Sequence, residues 1–135
     1  MSITYYSANR ILDKGFGSTN FTSPTTMYFG LSTTPIAIDG TGATEPSGGS
    51  YARVALVNDK TNWGTAANAS LTNSASVTFP ESTASWGTIT HVFISDASSG
   101  GNIWWYEALS PSRQVQISTT VQFAIGAITA QMTNS

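Results

Sequence analysis

The chain of 135 residues and 14.2 kDa has the size of one ordinary domain. Only 9% of its residues are charged, against about 25% in a typical soluble domain, and the net charge is −2. With no cysteine it forms neither disulfides nor thiolate zinc sites, and one histidine rules out a two-His metal site within the chain. Serine and threonine, 39 residues together, must solvate the surface instead of charges. Such a surface deters association weakly, so contact with other subunits is expected.

The N-terminal segment stands apart. Tyr5, Ala8, Ile11 and Leu12 recur at helical spacing ahead of Gly15, which predicts a short helix over Thr4–Lys14 inside an N-terminal arm spanning 1–22. A helix of this length with so narrow an apolar stripe is marginal alone and must dock. From Thr25 the period changes to two: Met27, Phe29 and Leu31 alternate with Thr26, Tyr28 and Gly30. Tyr51–Val57, Ala69–Asn73, Gly87–Ser95 and Asn102–Ala108 read as further strands, with short ones around Val77/Phe79, Val115/Ile117 and Val121/Phe123/Ile125. All five prolines fall between these runs, where a missing N–H does least harm. About eight short strands and one initial helix predict an all-β domain of β-sandwich or jelly-roll type filling 1–135. The stretch from 33 to 50 is too long for an ordinary connection and is expected to be a mobile loop or an excursion to a neighbour.

The chemistry on offer is thin. The acids, Asp13, Asp39, Glu45, Asp59, Glu81, Asp96 and Glu107, lie mostly at predicted turns, where carboxylates make Asx-turn bonds, and no spacing suggests a glycosidase pair. His91 has no nucleophile elbow beside it. Strand parity places it on the face of Ile89 and Phe93, as a partly buried structural histidine. Asp39-Gly40-Thr41-Gly42 with Glu45 offers hard oxygens that calcium could use, without EF-hand spacing, and no cofactor or metal is expected. Five scattered basic residues provide no patch for nucleic acid. No apolar run approaches 18 residues and no signal-peptide order is present, so no membrane partner is expected and the chain reads as made in the cytoplasm. Arg53 should lie on the more exposed strand face, pairing with an acid or capping carbonyls of the 33–50 loop. In Trp104-Trp105-Tyr106, alternation sends Trp105 to one face and Trp104 with Tyr106 to the other; one set belongs to the core, and Trp104 is taken as the exposed contact.

Several segments together carry a family resemblance. They are Tyr28-Phe29-Gly30-Leu31-Ser32, then Gly48-Gly49-Ser50-Tyr51-Ala52-Arg53, and Asn73-Ser74-Ala75-Ser76-Val77-Thr78-Phe79-Pro80. Trp86-Gly87-Thr88-Ile89-Thr90-His91-Val92, Asp96-Ala97 and Gly100-Gly101-Asn102-Ile103 complete the order. The chain resembles a family of small virion proteins of tailed bacteriophages, labelled tail fibre or capsid decoration (cement) proteins. The resemblance implies a non-enzymatic virion protein that oligomerises and carries no catalytic or metal-binding residues. The chain is short for a shaft plus a receptor-binding tip and has no coiled-coil or collagen repeat, which favours a cement protein. The expected reading is a trimer, made in the host cytoplasm, that clamps the major capsid protein from outside and stabilises the shell by linkage. The alternative is a tail fibre or baseplate appendage touching a host-surface glycan. The expected interface residues are Tyr5, Ile11, Ile36, Ile38 and Trp104, with Arg53 and His91 as structural polar groups.

Overall fold

The computed structural model describes residues 1–132. It is all-β with a short N-terminal helix, as the patterning predicts. In chain order the elements are β1 (Ser2–Ile3), α1 (Tyr5–Gly17), β2 (Thr26–Ser32), β3 (Val54–Val57), β4 (Ser70–Thr72) and β5 (Val77–Thr78). Then come β6 (Gly87–Ser95), β7 (Ile103–Val115), β8 (Gln122–Phe123) and β9 (Thr129–Gln131). Five strands form one antiparallel sheet in the order β1-β7-β6-β2-β3, while β4-β9 and β5-β8 are separate two-stranded ribbons. The layer facing the main sheet is thus two ribbons and their loops, not the complete second sheet of a sandwich.

Alternation builds the core. Phe29 and Leu31 of β2, Leu56 of β3 and Val92 and Ile94 of β6 point to one face. There they meet Trp63, Val77, Phe79, Trp86, Val115 and Ile128 from the ribbons and loops. Trp63 stacks on Phe29 at 6.0 Å, and Tyr51 lies between Phe79 and Trp86. Asn73 ties the ribbon layer together although it is buried. Its Nδ2 donates to the carbonyls of Ala75 and Ala124, and its Oδ1 accepts from the Ile128 N–H, so the buried amide is satisfied.

Parity fails at one place, for an identifiable reason. Ile89 pairs with Arg113 but His91 pairs with Ala108, so β7 spends Leu109–Ser112 opposite the single residue Thr90. This wide bulge turns β6 over. Ile89 and Val92 both face the core, whereas His91 does not share the face of Ile89 as simple alternation predicts. Pro111 lies inside β7, within the bulge, and not between strands. It is exposed there, where β7 has no β1 partner and a missing N–H costs little.

The helix begins one residue after the expected start and runs past Gly15 to Gly17, with Ser18 closing it in the left-handed region at φ 56°. Thr4 is the N-cap, accepting from the Ser7 N–H. Two expected strands are different: residues 51–53 precede β3 as irregular chain, and the run after Asn102 is continuous with the run ending at Val115. The two residues of β1 and the three of β9 are too few to show a period.

Candidate functional site

The face of the main sheet opposite the core carries the surface elements that the sequence singles out. The start of α1 is fastened to β7 at one carbonyl: the Thr4 N–H and the Ser7 hydroxyl both donate to Trp104 O, at 3.0 and 2.7 Å. Thr4 Oγ1 also donates to Ile103 O at 2.6 Å. Thr4 and Ser7 are completely buried, so two hydroxyls in an apolar contact are fully used. Trp104 is 6% exposed, covered by Tyr6 and Phe21 at ring separations of 5.6 and 6.0 Å, while its Nε1 donates to Asp96. The expectation that Trp104 is an exposed contact is therefore corrected. Alternation divides the three aromatics as predicted, but the docked helix covers the Trp104 face, and Trp105 is the half-buried one.

The 33–50 loop is built into the chain and is not an excursion. Ser32 Oγ donates to Thr34 O and accepts from Thr44 N, closing the loop at its base. Gly42 stands at φ 93° with no room for a side chain, since a Cβ would come within 2.7 Å of Pro35 O. Ile36 is buried, contrary to its expected place in an interface, because the loop folds back over it. The Ile38 carbonyl accepts from the Tyr5 N–H at 2.9 Å, joining loop to helix. Asp39 Oδ1 accepts from Thr41 N and Oγ1, an Asx turn whose bonds lower its carboxyl pKa. Glu45 turns away from Asp39 toward Arg53, so the two acids do not form one calcium-binding group.

Arg53 is the fastener of this loop. Its Nε and Nη2 donate to the two oxygens of Glu45, each at 2.9 Å, and Nη1 donates to the carbonyls of Ala97 and Gly100. Pairing with an acid agrees with the expectation. The exposure does not: the side chain is only 7% exposed, and the carbonyls belong to the turn after β6, not to the 33–50 loop. Beneath it the guanidinium lies 5.0 Å from the centre of the Phe93 ring, and Phe93 in turn lies directly on Gly30. The Tyr51 hydroxyl completes the group, donating to Glu45 Oε1 and accepting from the Leu31 N–H. Burial pulls the Glu45 pKa up, but the bonds from Arg53 and Tyr51 outweigh it and hold the carboxyl below its ordinary range. Burial, joined by the adjacent carboxylate, pushes the Tyr51 hydroxyl well above the usual phenol range. Burial likewise opposes the ionisation of Asp96, yet bonds from the Asn102 N–H and Trp104 lower its pKa. The sequence has no local sign of the groups that Arg53 binds, because Glu45, Ala97 and Gly100 lie 8, 44 and 47 residues from it.

Along the other side of α1 runs a shallow groove of about 690 Å³, bordered by Ile3, Ile11, Leu12, Ile38, His91 and Tyr106. Ile11, Ile38 and His91 are thus brought together, while Arg53 belongs to the separate cluster and Trp104 to the helix's underside. His91 Nδ1 is 2.9 Å from the Thr90 hydroxyl. Beside the groove Tyr5 and Leu12 are more than half exposed, and Phe16, near the end of α1, is 90% exposed. Phe16 is the functional candidate that the sequence reading omits; its position one residue past Gly15, the expected stop, hides it.

A family model described as podophage GP4 fiber I protein gp80 matches residues 2–131. The chain belongs to this family. Nearly the whole of it is covered, from β1 through the helix and the main sheet to β9. No curated protein matches the chain. Membership makes the chain a virion structural protein, and the family's description carries the word fibre, not decoration or cement.

Proposed function

We propose that the chain is a non-enzymatic building block of a virion fibre, attached to its neighbours through the exposed side of α1. The observation that carries this reading is the fibre-family match over residues 2–131. The exposed Tyr5, Leu12 and Phe16 beside the groove supply an apolar attachment surface on a molecule whose charged residues are few. The non-enzymatic part is supported by where the acids are spent. Glu45 and Asp96 are bound to Arg53, Tyr51, Asn102 and Trp104, and Asp39 and Asp59 stabilise turns. The partners are tail components and further copies of the chain, with a trimer as the proposed assembly.

Electron microscopy of intact particles carrying a labelled version of the chain tests the location. A few copies at the tail vertex are expected. Many copies spread over the head would replace this reading with the capsid-decoration one, in which the major capsid protein is the partner.

A further inference from the structure

Phe16, at 90%, is the most exposed large apolar side chain among the described residues, and its surroundings isolate it further. Gly15 and Gly17 stand on either side. A Cβ at Gly15 would meet nothing within 4 Å and one at Gly17 only Thr19 Oγ1, at 3.9 Å, so no packing inside the chain calls for glycine there. Neither glycine has the positive φ that would require it. Bare backbone on both sides lets the walls of a narrow recess close on the ring. One helical turn earlier, on the same side of α1, Asp13 is exposed, and its carboxylate makes no bond among the described residues.

A recess of matching kind lies on the other face of the main sheet. Between the core face and the β4-β9 ribbon is a cleft of about 290 Å³, walled by Met27, Leu71, Ile94 and Trp105. An apolar cavity of about 150 Å³ already holds a benzene ring, so one phenyl side chain fits. At the rim Asp59 Oδ1 is turned into its own loop by bonds from Thr61 N and Asn62 N. Lys60 Nζ, by contrast, gives one bond to Gly64 O and keeps two donors. The rim thus presents a cation to an acid that accompanies an apolar ring.

We propose that this cleft receives Phe16 of a second copy of the chain, with Asp13 of that copy on Lys60. Ile125 and Ile117, the next most exposed at 68% and 64%, have no charged residue within two positions and bring nothing to the ammonium. Tyr6 of α1 packs on Trp104, on one face of the main sheet, whereas the cleft includes Trp105, on the other. Each copy therefore gives its Phe16 at one face and receives another at the opposite face. Such a contact is heterologous and repeats: it closes into a ring, as in the proposed trimer, or runs on as a filament. The proposal rests on α1 as the attachment surface and deepens that reading by naming the surface it meets.

The test is NMR on full-length chains. An isotope-labelled Phe16→Ala chain, which keeps the cleft and lacks the ring, is titrated with unlabelled wild type. The Trp105 indole N–H and the Lys60 and Ala130 amides should shift, half-saturating below about 1 mM, and unlabelled Phe16→Ala should leave them in place. Asp13→Lys in the added chain should weaken binding about threefold, and Lys60→Glu in the labelled chain should restore it. No shift at the cleft, equal shifts from added Phe16→Ala, or no recovery in the charge exchange overturns the proposal. Incorporation of Phe16→Ala into particles separates the two readings. Reduced incorporation with unshifted cleft signals overturns the cleft contact alone and leaves α1 attached to another tail component; undiminished incorporation overturns both.

Discussion

The 33–50 loop and the second half of α1 look alike in the sequence: each is short of apolar residues and each is expected to gain order on a neighbouring subunit. In the structure they differ. The loop is tied within the chain: Ser32 at the end of β2 bonds Thr34 O and Thr44 N, Thr34 Oγ1 donates to Gly42 O, and Glu45 pairs with Arg53. The helix past Arg10 has almost nothing beneath it, and from Leu12 to Asn20 every residue is exposed. A polar segment can be ordered by hydrogen bonds to its own fold, whereas an apolar side chain without a facing surface keeps its area in water until another molecule covers it.

The largest effect is expected from releasing the loop. Arg53→Ala leaves Glu45 partly buried without its cation and frees two carbonyls, so the midpoint of urea unfolding should fall by the equivalent of about 3–5 kcal/mol. Arg53→Lys should recover only part of this, because an ammonium cannot reproduce the bidentate pair and the flat contact with Phe93. A loss below about 1 kcal/mol would mean that the loop is held by its backbone alone.

A smaller effect comes from below. In Gly30→Ala the new Cβ would lie 2.2 Å from a Phe93 ring carbon, which must move and carry Arg53 with it. A destabilisation of about 3 kcal/mol is expected by thermal or chemical unfolding.

Acid weakens the same fastening. Glu45 is held below its ordinary value of 4.5, so its contribution is complete above that pH and is lost as the pH falls through the lower folded value. Glu45→Gln should cost about 1–2 kcal/mol at neutral pH, and the gap from wild type should close below pH 4.5. A gap that persists unchanged to lower pH would show that the carboxylate's charge is not what holds Arg53.

The smallest effect on the monomer is expected at the helix. Phe16→Ser should change the unfolding free energy by no more than about 0.5 kcal/mol, since Phe16 is 90% exposed, and Leu12→Ser, at a residue 54% exposed, by no more than about 1 kcal/mol. Each should nevertheless reduce incorporation into particles, measured by quantitative immunoblotting of purified virions. Deletion of the entire helix would be less informative, because Tyr6 and the Thr4 and Ser7 hydroxyls protect Trp104 and its carbonyl.

By itself the sequence determined the fold class. A change of period from helical at Tyr5–Leu12 to two at Met27–Leu31 follows directly from which backbone can bury those residues on one side. It also determined the core face of β2 and the opposite directions of Trp104 and Trp105, since alternation is local. Long-range packing settles which of the two faces stays covered and where the polar groups find partners. Trp104 is buried because α1 lies on it, His91 loses the face of Ile89 because β7 bulges opposite Thr90, and Arg53 closes onto Glu45 and the 97–100 turn. These outcomes depend on contacts between segments far apart in the chain, whose geometry no local period encodes.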